Sequence, residues 1–176
     1  NANPLFPLIN LGPYRSAVTT DQISAHTTTQ LPGIGAVACV AYVLCDLWHE
    51  FGHAAATLLP VGVSAVSIST IGLTSTGSSA VVAAAGPLVN MMLSLTLLLA
   101  LTSALAPSWR YFGWLLGTVN LFNAAAYFSY SAILGSGDWA VVFNAIAPPL
   151  LWRTIVGLRG LSLYAVSVYC ALAGLG

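Results

Sequence analysis

The chain contains no lysine and only one glutamate. Its charges are Arg15, Arg110, Arg153 and Arg159 against Asp21, Asp46, Glu50 and Asp138, so they cancel and make up 5% of the residues. Soluble domains carry about 25% charged residues, so this composition excludes an ordinary solvated surface. A zero net charge with no basic patch excludes a nucleic-acid partner. Cysteine is equally sparse: Cys39, Cys45 and Cys170 form no C-x-x-C pair. They read as free thiols packed as small hydrophobes, not as a disulfide framework or a thiolate metal site. No repeat of 20–50 residues is visible, and no second, soluble domain.

What fills the chain is apolar: 58% of its 176 residues are hydrophobic and the mean hydropathy is +0.89. The expected fold class is an all-α polytopic membrane protein of about four transmembrane helices, with a small β-strand or hairpin insertion after the first. Residues 1–32 hold four prolines, a T-T-T run, Arg15, Asp21 and His26. Their apolar runs are too short to cross a bilayer, which reads as an irregular or interfacial arm. Residues 33–176 then form a single membrane-embedded domain with spans near 33–59, 81–106, 111–134 and 150–175. Pro60 ends the first. Between the first two, residues 61–79 are rich in Val, Ile, Ser, Thr and Gly, with alternation in Val66-Ser67-Ile68-Ser69. That pattern predicts one or two strands, held at the surface or against protein because lipid tolerates no open strand edge. Such a strand can dock an extended peptide or serve as a plain connecting hairpin. Arg153 and Arg159 fall in the first turns of the last span and read as reaching toward an interface.

Within the first span stands C-D-L-W-H-E-F-G-H, residues 45–53. On a helix, His49 and His53 lie on one face about 6 Å apart along the axis, so both imidazoles can reach one metal ion. Glu50, one residue past the first ligand, is then placed as general base toward water that the metal acidifies. The competing reading is two structural histidines and a buried carboxylate, which is costly unless they are paired. Asp46 lies on the same face and can accept the free ring N–H of His49, or be capped by solvent or a neighbouring helix.

A catalytic zinc takes three protein ligands and water. Asp46 is about 10 Å along the axis from His53, too far to close a site, and Asp21 and His26 precede the opposite end of the span. Cys39 and Cys170 are likewise remote. Asp138, in Gly135-Ser136-Gly137-Asp138-Trp139, is left as third ligand, its alternative role being a helix N-cap. If the spans alternate, the end of the first, the start of the second and the end of the third share one membrane side. There lie the His pair, Asn90 and Asp138. Asn90 is either interhelical glue or a donor into the site, and Asn120, Asn123 and Tyr127 make a polar stripe on the third span. Arginines divide two and two between the sides, so charge gives no orientation.

Together, H-E-F-G-H at 49–53, A-G-P-L-V-N at 85–90 opening the next span and the Asp138 loop after a third resemble the site-2 protease family of intramembrane zinc metalloproteases. The resemblance covers about residues 33–139. It implies a three-span catalytic core, Zn²⁺ held by His49, His53 and Asp138, a strand segment beside the site, and cleavage of a transmembrane substrate near the cytosolic face. In the family the aspartate follows an asparagine and prolines within about ten residues and precedes glycine. Here Asn123 stands fifteen positions ahead of Asp138, no proline intervenes, and Trp139 follows. The expected function is peptide-bond hydrolysis with Glu50 as base. Asn90, with Asn123 as second candidate, would orient the peptide or stabilise oxyanion charge. The alternatives are a non-proteolytic, metalloprotease-like subunit of a larger membrane complex and a transporter or channel subunit whose polar stripe lines a path.

Overall fold

The computed structural model of the chain describes residues 20–70, 72–101 and 107–174. Its elements in order are α1 (Thr20–Ala56), β1 (Ala65–Ser69), β2 (Gly72–Ser75), α2 (Ala80–Ala100), α3 (Pro107–Leu134), α4 (Asp138–Asn144) and α5 (Pro149–Ala173). The two strands pair antiparallel, with Ile68 opposite Leu73 and Ser69 opposite Gly72, and sit within the stretch expected to be extended. The first helix starts earlier than expected. α1 begins at Thr20, so the second part of the supposed irregular arm is helical; residues 1–19 lie outside the described residues. Pro32 removes one helical hydrogen bond, and the helix runs on through that single loss.

Three helical stretches are long and apolar enough to cross a membrane: Gly33–Ala56, Ala80–Ala100 and Pro149–Ala173. Four were expected. α3 has the length, at 28 residues, but Thr118, Asn120, Asn123 and its tyrosines hold its hydropathy below the other three. The distribution of side chains is the inverse of a soluble protein's. Leu95, Leu99, Leu158, Leu161 and Leu172 face outward, while His49, Glu50, His53, Asn90, Ser94 and Asn120 are buried. An apolar exterior over a polar interior suits a hydrocarbon solvent, where polar groups must be satisfied inside the protein.

With no hydrophobic drive between helices in lipid, close packing rests on small residues. α2 packs between α1 and α3, α3 packs on α5, and α4 tucks against α2, α3 and α5. At the α1–α2 crossing, a Cβ built on Gly52 would come 2.8 Å from the Ala85 carbonyl oxygen and 3.0 Å from Gly86 Cα. At the α3–α5 crossing, a Cβ on Gly160 would come 2.6 Å from Ser129 Oγ. α4 is anchored through Ala140 and Phe143, which pack with Val156 of α5, and through Trp139, whose ring stacks on Phe128 at 4.2 Å. Because the obstacle to a Gly52 side chain is backbone, Gly52→Ala is expected to destabilise the fold by about 1–3 kcal/mol. Thermal unfolding of the detergent-solubilised protein measures it, and an unchanged melting temperature would mean that the two helices separate without cost.

Candidate metal centre

His49 and His53 stand one turn apart near the end of α1 and point inward, only 2% and 7% exposed. Their Nε2 atoms lie 3.0 Å apart, with the rings nearly perpendicular at 82°. Asp138, the first residue of α4, brings Oδ2 to 3.1 Å from His49 Nε2 and 3.5 Å from His53 Nε2. Three donor atoms from residues 89 positions apart thus form a triangle with edges of 3.0, 3.1 and 3.5 Å. Tetrahedral zinc with bonds of about 2.0–2.1 Å spaces its ligands about 3.3–3.4 Å apart, so the triangle has the size of one coordination face.

The second nitrogen of each ring is also engaged. His53 Nδ1 donates to the Val82 carbonyl at 2.6 Å. A carbonyl only accepts, so in the neutral ring the hydrogen stays on Nδ1 and the lone pair of Nε2 faces the triangle. His49 Nδ1 lies 3.3 Å from the Asn90 amide, and the His49 ring stacks on Tyr127 at 4.5 Å. The Asn90 amide in turn donates to Asn123 Oδ1 at 2.8 Å. Burial works against an ionised Asp138, yet the two imidazoles beside it hold its carboxyl below the usual carboxylate range.

Two further observations fit a metal. A Cβ built on Gly86 would fall 2.5 Å from His53 Nε2 and 2.8 Å from His49 Nε2, so only glycine lets the α2 backbone lie against both donors without pushing the rings out of place. Glu50 Oε2 is buried without a hydrogen-bond partner, which is expensive unless water or a cation meets it. His49, Glu50 and His53 also offer ligand atoms within 4.8 Å of one another, so either carboxylate can complete a set with the histidines. Asp138 already touches both imidazole nitrogens, whereas the Glu50 carboxylate has the backbone N–H of Leu73 on β2 as a favourable neighbour. The donor set of two imidazoles and carboxylate oxygen suits zinc.

The cluster opens into a groove of about 790 Å³. α1 lines it with Tyr42 and Asp46, β2 with Leu73 and Ser75, and α3 with Asn123 and Tyr130. Of the residues singled out in the sequence, His49, Glu50, His53 and Asp138 converge there. Asn90 is a correction: it was expected to touch the peptide, but it is 0% exposed and sits behind His49, outside the groove. α2 crosses α1 so closely at Gly52 that the Asn90 side chain is trapped between helices. Asp46 is not the partner of His49 either, because Asn90 occupies that ring nitrogen. The polar stripe divides: Asn123 and Tyr127 join the site, while the Asn120 amide donates to Leu116 of its own helix. The Val82 carbonyl and the Leu73 N–H are backbone groups with no signal in residue type.

Gly86→Ala is expected to lower the affinity of the site for a divalent metal by about 10- to 100-fold while leaving the protein helical. Equilibrium dialysis with circular dichroism as control tests this, and undiminished binding would place the metal elsewhere. Comparisons with protein-family models, with characterised proteins and with solved structures found no match to this chain.

Proposed function

We propose that this chain is an intramembrane zinc metallopeptidase of the site-2 protease type, hydrolysing a peptide bond of a membrane-embedded substrate. The observation that carries the reading is the triangle of His49 Nε2, His53 Nε2 and Asp138 Oδ2, of metal-face dimensions, beside a buried and unpartnered carboxylate oxygen. In this reading α3 joins the three apolar helices as a fourth span, its polar stripe turned to the groove, and the groove opens near the cytosolic face.

His49, His53 and Asp138 would hold the ion. Zinc supplies Lewis acidity when bound, bringing the pKa of water to about 7 and polarising a carbonyl. Glu50 accepts the proton of the attacking water at Oε2 and returns it to the leaving amine. Val82 and Asn90 set the ring orientations of His53 and His49 and do not meet substrate. A helical substrate must unwind before its amide is accessible. β2 borders the groove and, among the described residues, has β1 as its one strand partner, so its outer edge can take an extended peptide by strand addition.

Glu50→Gln is expected to keep zinc and lose cleavage by about 100- to 10,000-fold. Proteoliposomes holding a reporter with one transmembrane segment read the cleavage, and metal content is measured on the same sample. An active Glu50→Gln protein would remove the base assignment. Zinc retained by a wild-type chain that cleaves nothing would favour the non-proteolytic subunit.

A further inference from the structure

The histidines are fixed by their own helix, but Asp138 arrives from far along the chain on a helix of seven residues. Something must hold it to within a few tenths of an ångström. The connection from α3 to Asp138 is Gly135-Ser136-Gly137, with both glycines at positive φ, +69° and +89°. The last carbonyls of a helix have no intrahelical donor. Here Arg153, reaching across from α5, supplies two: Nε donates to the Ala132 carbonyl at 2.5 Å and Nη2 to the Ile133 carbonyl at 2.8 Å. The same guanidinium lies against the turn itself, 3.6 Å from where a Gly135 Cβ would be. α5 lends no side chain to the groove, yet it holds one of only four cations in the chain at the point from which the third ligand is launched. The sequence reading had sent that cation toward the interface. Charge-assisted hydrogen bonds in a fork are rigid and directional, which a long apolar contact is not.

We infer that Arg153 is a positioning residue for the metal centre: by clamping the C-terminal carbonyls of α3 it sets the glycine turn that delivers the Asp138 carboxylate to His49 and His53. This rests on Asp138 being a ligand and is independent of whether the chain cleaves peptides.

The test is a Co²⁺ titration of the full chain in detergent, following affinity and the visible d–d spectrum. Wild type, Arg153→Gln, Arg153→Lys, Asp138→Ala and the double variant Arg153→Gln/Asp138→Ala are compared. Arg153→Gln should weaken Co²⁺ binding by about 10- to 100-fold, the range for groups that orient ligands, and shift the spectrum toward that of Asp138→Ala. The double variant should bind no more weakly than Asp138→Ala alone, because the clamp acts only through that carboxylate. Lys, which keeps the charge but not the fork, should recover part of the loss and carries the comparison if the Gln protein does not fold. Tyr164→Ala, which removes the ring contact of α5 with Phe122 and stands outside the cluster that anchors α4, controls for general loosening of α5 and should leave the spectrum unchanged. Wild-type affinity and spectrum in Arg153→Gln, additive losses in the double variant, or an equal shift in Tyr164→Ala would each overturn the inference. Undiminished binding by Asp138→Ala would overturn it together with the ligand assignment.

Discussion

Two imidazole nitrogens 3.0 Å apart in an apolar helix bundle are an unstable proposition unless a third group reconciles them. Lone pairs repel, and an unmatched polar atom in a low-dielectric interior costs several kcal/mol, about as much as a small protein's whole stability margin. A ring proton or a cation between the nitrogens meets that need, and the negative charge that holds either one there comes from the Asp138 carboxylate, within 3.5 Å of both rings. Much of the remaining architecture follows from the need to bring it there and keep it there. Each imidazole is tied back by its second nitrogen, one to the α2 backbone and one to the Asn90 amide, so neither ring can turn away.

That constraint explains why small residues gather where they do. For the Val82 carbonyl to reach His53, the backbone of α2 must approach α1 without side chains between, and Gly52 and Gly86 face each other at this crossing. Gly86 serves packing and chemistry at once, because both donor rings lie where its Cβ would be. A soluble protein could enforce such an approach by burying large hydrophobes. In lipid, where leucine is as well solvated outside as in, contact between backbones and hydrogen bonds must do it. The outward leucines and the buried Asn90, Ser94 and Asn120 express that exchange.

The sequence disclosed the parts of the site that depend on residue type and spacing. A spacing of four between histidines is about one helical turn, and with so few carboxylates Asp138, which touches both rings, could be reached by elimination. The strand pair was legible from its β-branched alternation. The backbone donors and acceptors were not, because every residue but proline carries both groups and only the crossing of helices decides which are used. Asn90 was assigned to the correct cluster and the wrong side of it, since helical phase gives a face but not which neighbour covers it. Arg153 was misdirected for a related reason. A lone arginine near the end of a span ordinarily reaches for water, and the carbonyls that capture it here belong to another helix.

Between Asn123 and Asp138 the chain runs out along α3 and folds back into α4. From Asn123 to the end of α3 the chain rises about 16 Å at 1.5 Å per residue, well past the level of the histidines. A straight continuation would carry the ligand away from them. The two positive-φ glycines reverse the path instead, and the stacking of Trp139 on Phe128 lays α4 back against α3. Tryptophan after the aspartate, where the resembled family has glycine, is therefore the anchor of the return. The added helical turns are not idle, for Tyr127 stacks on His49 and Tyr130 lines the groove. A long helix that folds back can thus present a carboxylate to a pair of imidazoles, provided its end is clamped. That requirement is why a cation on a helix remote from the chemistry sits against this turn.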